Sequence, residues 1–347
     1  MDEMTQNSFS NRVLEAPAIP GLVFRHLQSE ADLPGIVDVM NASFAADGNS
    51  ERITVEGLAN ICAHPVRWDP QQDTLLVEVE RTLVGYANTE WCEEAEGDCL
   101  HNINLHLVEE WRSRGLERAV QRYLEQRAKG IASAGATGAR HWYASRVPET
   151  WRARAEMLLA LGYTPTRYYY EMQRSLDDDL PEVLMPAGIE LRSPLPEHYR
   201  AIWEADTECF RDQQDYVVPG EESYSAWIAT PDLDPSLWLV AWDGDQVAGG
   251  AINVAYGGVW GETDDLFVRR PWRNQGLGRA LLVGSLHLLR ARGLTTAGLG
   301  VDTENLSGAL GLYESVGFRP YQQVVSYRRQ MVPHPCRDSC SQRFGVG

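Results

Sequence analysis

The sequence predicts an α/β protein in which one domain plan occurs twice in tandem. The first observation is a repeated run, W-R-x-x-G-L-x-R-A, which begins at Trp111 and again 161 residues later at Trp272. The second is that Gly162-Tyr163 is echoed by Gly317-Phe318. A length of 347 residues is comfortable for two domains. An internal duplication explains these observations together.

The composition is that of an ordinary globular protein, with 44% hydrophobic and 23% charged residues. A net charge of −18 argues against nucleic acid or an anionic membrane as a partner, although solubility alone also explains it. The six cysteines contain no paired C-x-x-C motifs, so no metal site is expected. The acidic N-terminus lacks the apolar core of a signal peptide, and no apolar run is long enough for a membrane span. We therefore expect a cytoplasmic protein.

The first half is expected to comprise a flexible arm over residues 1–20 and a domain over residues 21–176. Its predicted elements are, in order, a strand (Gly21–Leu27), a helix (Leu33–Ala46), a hairpin (Asp73–Trp91), a strand (Asn102–Val108) and a helix from Trp111 capped by Gly130. An acidic, proline-containing linker is predicted over residues 177–187. The second domain, 188–330, repeats the plan, and the tail 331–347 is expected to be disordered.

The most informative stretch lies in the second half, where a strand ending Leu266-Phe267-Val268 leads through a glycine-containing loop into a helix. Arg273, Gly276 and Gly278 form the loop, and Gly293 is expected to close the helix. Backbone N–H groups at a helix N-terminus are unpaired and attract anions. The order of elements therefore predicts a pyrophosphate site.

This run resembles the acetyl-CoA loop of the GCN5-related N-acetyltransferase (GNAT) superfamily, V-x-P-x-x-[QR]-x-x-G-x-[GA]. Val268, Arg273, Gly276 and Gly278 are in place, with Pro271 displaced by one position. A second segment is similar to the family pattern N-x-x-A-x-x-x-Y-x-x-x-G-[FY], although its alanine stands one position late; the matching residues are Asn305, Ala309, Tyr313, Gly317 and Phe318. The tandem arrangement resembles that of mycothiol synthase.

The resemblance implies two tandem GNAT-type domains, each with a mixed, mostly antiparallel central sheet flanked by helices. It also implies acetyl-CoA as co-substrate, held where two strands diverge and at the helix N-terminus. The implied binding residues are Leu266, Phe267, Val268, Arg273, Asn274, Gln275, Gly276, Leu277, Gly278, Arg279, Asn305 and Tyr313. Asn305 could equally cap the following helix.

By the same resemblance, Tyr313 occupies the position of the proton donor to the leaving thiolate, although its residue type also suits a core aromatic. Glu262 or Asp264 could act as general base, or could be solvated carboxylates at a strand end. Strand alternation places Glu262 and Asp264 on one face with Leu266 and Val268, and Thr263, Asp265 and Phe267 on the other.

The segment Ala205–Trp227 corresponds to the acceptor-lining helices of the family. Its acidic and aromatic residues suit a cationic amine, or simply a polar helix surface; they are Asp206, Glu208, Asp212, Asp215, Glu221, Glu222, Phe210, Tyr216 and Tyr224. We therefore expect an N-acetyltransferase that acts on a small, cationic primary amine in a ternary complex. The alternative is a non-catalytic acyl-CoA-binding regulatory module. The oligomeric state is not determined by the sequence.

The first half is expected to be catalytically silent. Glu117 stands where the second loop glycine should be, Leu158 replaces Tyr313, and Thr150 replaces Asn305. A carboxylate in the loop fills the space of a phosphate and repels it. The first domain is therefore expected to pack against the second and wall off the acceptor site.

Overall fold

The computed structural model describes residues 13, 15–135, 138–211, 216–231, 233–304 and 308–331. The strands are β1 (Leu22–Arg25), β2 (Thr74–Val79), β3 (Thr82–Glu93), β4 (Cys99–Leu107), β5 (His141–Pro148), β6 (Thr164–Ser175), β7 (Glu190–Arg192), β8 (Leu239–Asp243), β9 (Gln246–Tyr256), β10 (Trp260–Val268), β11 (Thr296–Asp302) and β12 (Arg319–Gln330). The helices are α1 (Leu33–Ala46), α2 (Val55–Ala63), α3 (Leu116–Ala134), α4 (Arg152–Ala160), α5 (Tyr199–Phe210), α6 (Glu221–Ile228), α7 (Leu277–Ala291) and α8 (Ala309–Ser315).

The strands form one twelve-stranded sheet in the order β1-β2-β3-β4-β5-β12-β6-β11-β10-β9-β8-β7. The pairs β4–β5 and β10–β11 are parallel, and the other neighbouring pairs are antiparallel. The predicted mixed, mostly antiparallel sheet flanked by helices is confirmed. The two parallel pairs occupy equivalent places in the two halves of the chain, as a duplication requires.

The last strand of each half lies in the sheet of the other half. Strand β12 is inserted between β5 and β6, with Val325 opposite Val147, and β6 pairs with β11, with Met172 opposite Leu299. The cores follow this exchange, because Val325 packs in the core of the first half and Met172 in that of the second. The boundaries that we propose from the sequence divide the chain, but these two strands cross them.

Alternate residues along the strands send their side chains to helices on opposite faces of the sheet. In the first half, Leu75 packs with α3 and Leu76 with α1. In the second half, Ala251 packs with α7 and Ile252 with α5. This alternation gives each half a two-sided core. Among the described residues, no helix has the length and apolarity needed to cross a membrane.

Two local predictions are corrected. Helix α3 does not stop at Gly130 but continues to Ala134, because Gly130 is exposed and buried Ala128 still anchors that turn on the core. The end of the predicted flexible arm is packed, since Val13 is 4% exposed within the core of the first half. Residues 1–12, 14 and 332–347, including nearly all of the predicted disordered tail, lie outside the described residues.

Candidate active site

The site is centred on β10, where it diverges from β11. The two strands pair only from Trp260 to Glu262, opposite Thr296 to Gly298. Within the described residues, the β11 side of β10 beyond Glu262 therefore has no strand partner. The backbone leading to Val268 can form hydrogen bonds to a ligand that enters this gap, as the resemblance implied.

A β-bulge in β10 changes which side chains enter the site. Thr263 lies opposite Asn253, whereas Asp265 lies opposite Ile252, so Asp264 is the extra residue. Because one added residue reverses the alternation, the prediction that Glu262 shares a face with Leu266 and Val268, and Thr263 with Asp265 and Phe267, is wrong. Leu266 and Val268 pack toward α7, and Phe267 packs toward α5.

The bulge brings Asp265 to the α5 face, which Glu262 also occupies. Glu262 lies opposite Val254, two residues from Ile252, the partner of Asp265, so both point the same way. Thr263 points to the other face, where its hydroxyl donates to Asn253 Oδ1 at 2.8 Å. Sequence analysis missed Asp265 because a bulge depends on the partner strand. The adjacent pair Asp264-Asp265 is the only local signal that alternation could fail here.

The loop after β10 has the shape expected of an anion site. Asn274 and Gly276 have φ of 60° and 84°, and α7 begins immediately afterwards at Leu277, which anchors the helix in the core with 1% exposure. A Cβ added to Gly276 would meet nothing within 4 Å, and one at Gly278 would meet nothing closer than 3.6 Å. The first turn of α7 therefore leaves room for a pyrophosphate.

Side chains around the loop hold its shape. The Arg273 guanidinium turns inward and its Nε donates to Val268 O at 2.9 Å, and Gln275 Nε2 donates to Pro271 O at 3.0 Å. The predicted loop residues are thus brought together in one turn. Asn305 lies outside the described residues.

Tyr313 lies on α8 and packs with residues of α7 and β11 in the core of the second half. Its side chain is 9% exposed and meets the Phe318 ring edge-on at a centroid distance of 6.3 Å. Burial, with a further contribution from the charge of Asp265, raises the pKa of Tyr313 to about 12. The hydroxyl therefore stays protonated at neutral pH, as a proton donor must.

Carboxylates from several elements converge on the α5 face. Burial raises the pKa of Glu262 to about 8, although a hydrogen bond from Trp260 Nε1 to Glu262 Oε2, at 2.6 Å, opposes the rise. Burial and then the charge of Asp264 raise the pKa of Asp265 to about 7. Asp264 keeps part of its surface open to solvent, but crowding by surrounding protein raises its pKa too. Each carboxylate is therefore a better base than in water.

The predicted acceptor segment contributes one residue to this cluster. Burial and the charges of Asp265 and Asp264 raise the pKa of Asp206, on α5, well above its usual value. Glu208 is instead paired with Arg269 at 2.9 Å, and Glu221 with Arg200 at 2.8 Å. The aromatic face of Tyr224 is covered by the same arginine, and Asp212 and Asp215 lie outside the described residues.

Two further carboxylates, which sequence analysis missed, come from the first half of the chain. Glu51 is an exposed residue between α1 and α2, and crowding by surrounding protein and then the charge of Asp264 raise the pKa of its carboxyl. Glu171 lies on the exchanged strand β6, and its pKa is raised by burial and by the charge of Glu51. No local motif marks either residue, because their position depends on how the two halves meet.

The first half retains the shape of the loop but fills it. Ser113 and Gly115 have φ of 61° and 87°, close to the values at Asn274 and Gly276. The backbone N–H of Ser113 donates to Glu117 Oε1 at 2.5 Å, and Glu117 is 4% exposed. The buried Glu117 carboxylate thus accepts the hydrogen bond of a loop N–H group that could otherwise be donated to a phosphate. Leu158, which replaces Tyr313, is fully buried in the core.

The N-terminal arm covers the same loop. Pro17 lies 3.7 Å from the position of a Cβ at Gly115, and Glu15 forms an ion pair with Arg118 at 2.7 Å. Within the described ranges, no three His, Cys, Asp or Glu side chains are grouped so that they could hold a metal ion.

Comparison with known proteins agrees with this geometry. A model of the acetyltransferase (GNAT) family matches residues 196–318. Mycothiol acetyltransferase of Thermomonospora curvata is 34% identical over 258 residues, which cover 74% of this chain and 82% of that protein. Mycothiol acetyltransferase of Streptomyces scabiei is 29% identical over 263 residues, which cover 74% of this chain and 79% of that protein.

Solved structures share the fold over nearly the whole chain. A GCN5-related N-acetyltransferase from Sphaerobacter thermophilus has a TM-score of 0.70 and 24% identity, covering 91% of this chain and 98% of its own. A tandem GNAT protein from the clavulanic acid biosynthesis pathway has a TM-score of 0.64 and 16% identity, covering 90% and 99%. The chain therefore belongs to the acetyltransferase (GNAT) family, as an N-acetyltransferase of the tandem-domain type that resembles mycothiol acetyltransferase.

Proposed function

We propose that this acyl-CoA-dependent enzyme transfers an acetyl group from acetyl-CoA to a primary amine of a small, cationic molecule, by direct attack in a ternary complex. The observation that carries the proposal is the grouping of Glu262 and Asp265 on the α5 face of β10, where β10 diverges from β11, with Asp206 of α5 and with Tyr313, whose pKa the charge of Asp265 helps to raise. The same gap leads to the first turn of α7, where Gly276 and Gly278 leave room for a phosphate group.

The backbone of Leu266 to Val268 holds the thioester in this proposal, and the amides of Arg273 to Arg279 hold the pyrophosphate. A preorganised N–H near Val268 polarises the carbonyl. The amine nitrogen forms the new C–N bond as the C–S bond breaks. Glu262 receives the proton of the amine, and Tyr313 supplies the proton that neutralises the leaving thiolate.

Glu262 is the preferred base because its orientation is fixed by Trp260 and its pKa of about 8 lies near the operating pH. Asp265 is the competitor that the bulge adds, since it faces the same side of β10 as Glu262 and its charge helps to raise the pKa of Tyr313. Asp264 is the most exposed of the three. The relatives named mycothiol acetyltransferase support an acceptor of small-molecule size, while the acidic cluster supports a cationic one.

The test is release of the CoA thiol from acetyl-CoA in the presence of a panel of amines, with the acetylated product identified by mass spectrometry. We expect turnover with small cationic amines and none with matched alcohols. Thiol release that does not depend on any amine would contradict the proposal. Binding of acetyl-CoA without thiol release, whichever amine is present, would instead favour the non-catalytic acyl-CoA-binding module.

A further inference from the structure

A trough runs across the α5 face of the sheet from β10 to β6, and its floor is made of glycine. Gly298 and Gly300 alternate on β11 with residues that point away, so both face the trough. A Cβ at Gly298 would collide with the Trp260 ring and with Glu262 Oε2, which lie across the strand. A Cβ at Gly300 would lie 3.5 Å from Glu171 Oε2. The missing side chains let the two carboxylates face each other over β11.

The far end of the trough is acidic and aromatic. Glu51 belongs to the segment after α1, where the Asp47 carbonyl accepts a hydrogen bond from Gln322, the residue next to Tyr321. The charge of Glu51 acts on Glu171, Glu262 and Tyr321. The Tyr321 ring stands edge-on to Trp260 at a centroid distance of 5.9 Å. Carboxylates beside aromatic rings are the surroundings that an organic ammonium group prefers. Arg146 offsets part of the charge of Glu171.

The near end of the trough contains a carboxylate oxygen without a partner. Asp206 Oδ1 is completely buried and has no hydrogen-bond partner within the described residues, while the charges of Asp265 and Asp264 act on it. A buried acceptor left without a donor costs free energy, about 1–3 kcal/mol. A ligand that brings an N–H group to this oxygen would remove that cost.

The two ends are too far apart for one ammonium group. Asp265 on β10, at the near end, and Glu171 on β6, at the far end, are separated by the whole width of β11, and β10 no longer pairs with β11 at Asp265. Neighbouring strands are about 4.8 Å apart, so their backbones lie about 10 Å from each other. An ammonium contacts a carboxylate within about 4 Å, so a single charge neutralises only one end.

We propose that the acceptor carries two cationic groups, and that Glu51 and Glu171 bind the one that is not acetylated. The amine at the near end, beside Asp206 and Asp265, is the nucleophile. This inference rests on the proposed acetyl transfer to an amine and adds a specificity-determining role for the first half of the chain. Glu51 and Glu171 act on binding, at a distance from the reacting atoms.

The test compares α,ω-diamines of four to eight carbons with amino alcohols of the same length, in which a hydroxyl replaces the distal ammonium. Charged hydrogen bonds contribute about 1.5–3 kcal/mol each, so kcat/KM should be about 10- to 100-fold higher for the diamine.

Glu51→Gln and Glu171→Gln should each reduce this preference for the diamine about tenfold, through an increase in KM. Glu56→Gln, on an exposed residue of α2, is the matched control and should retain the preference. Thermal unfolding checks that each variant is folded.

The outcomes separate the two proposals. Equal kcat/KM for a diamine and its amino alcohol in the wild-type enzyme would overturn the second cationic group and leave acetyl transfer intact. A preference that survives both glutamine substitutions would overturn the assigned residues. Failure of every amine to release thiol would overturn the proposed function and this inference together.

Discussion

At the scale of single residues, the folded chain makes its carboxylates less acidic by crowding them away from water. Glu262, Asp265 and Asp206 come from two elements, yet burial is the largest cause of the raised pKa in each case. The same burial makes the Tyr313 hydroxyl less acidic. Bases become stronger and the acid stays protonated, which is the pairing that acetyl transfer to an amine requires.

Tyr313→Phe should lower kcat by about 10²–10⁴-fold, because a positioned proton donor contributes that much to a transition state. Affinity for acetyl-CoA should change little, since the ring and its contact with Phe318 are kept. The measurements are steady-state kinetics and calorimetry. Tyr143→Phe, at another buried tyrosine in the first half, is the matched control. A loss below threefold would reduce Tyr313 to a packing residue.

Glu262→Gln should change how kcat/KM depends on pH. A base with a pKa of about 8 is increasingly protonated as pH falls below 8, so activity falls with it. In a plot of log kcat/KM against pH, the slope of the acidic limb should decrease by one in the glutamine variant. The slope that remains reports the deprotonation of the amine substrate. Asp264→Asn and Asp265→Asn are measured in parallel. If the slope changes in Asp265→Asn alone, that residue is the base.

At the scale of elements, the two loop-and-helix units differ mainly in one side chain. Gly278 in the second half corresponds to Glu117 in the first, and the carboxylate of Glu117 accepts a hydrogen bond from the loop amide of Ser113. Gly276 is a poor position for a test, because its φ of 84° strains any L-residue placed there. Gly278 lies inside helix α7, where any L-residue can adopt the backbone conformation. A side chain introduced there therefore changes only the charge and the free space beside the loop.

Gly278→Glu should close the loop of the second half in the way that Glu117 closes the first. Repulsion between its carboxylate and one phosphate charge is about 4 kcal/mol at ~4 Å and an effective dielectric constant of ~20, roughly a thousandfold in affinity. Gly278→Ala is the control and should have a small effect, because the nearest atom to its Cβ is 3.6 Å away. If calorimetry gave the glutamate variant the same affinity for acetyl-CoA as the wild type, the loop would not be part of the cofactor site.

At the scale of the whole molecule, the exchange of β6 and β12 ties the two halves together. Each strand pairs with its new neighbours along most of its length. The exchange also brings Glu171 and Tyr321, on these two strands, beside Glu262. In the proposed reaction, the first half therefore contributes residues to the acceptor side, although its own loop is filled by Glu117.

A chain beginning at Gly188 should bind acetyl-CoA but turn over poorly. It retains the loop and Tyr313 but lacks β6, the neighbour of β11, together with Glu51 and Glu171. We expect a decrease in kcat/KM of about tenfold or more for a cationic amine, since each charged contact contributes about 1.5–3 kcal/mol. Co-expression with residues 13–187 should restore activity, as the two pieces assemble through their exchanged strands.

Co-purification on a single affinity tag measures that assembly. Full activity of the Gly188 piece alone, or of the isolated first half, would contradict the division of labour proposed here. Two acetyl-CoA molecules bound per intact chain would likewise show that the first half is not silent.

The sequence by itself determined the features that depend on near neighbours. The loop Arg273 to Gly278, the start of α7 and the helix containing Tyr313 follow from short motifs, because glycine placement and helical periodicity act over a few residues. Helix α1 was predicted with its observed bounds for the same reason. The duplication was visible because a repeat preserves spacing along the chain.

Tertiary structure alone decided the features that depend on pairing between distant segments. The bulge at Asp264 can be recognised only from the register in which β10 pairs with β9. The exchange of β6 and β12 cannot be predicted from alternation, because either strand could pair with the strands of its own half in the same alternating pattern. Glu51 is more than a hundred residues from Glu171 and Asp264 along the chain, so no local pattern relates them. Their proximity, and with it the acidic trough, exists only because the two halves share one sheet.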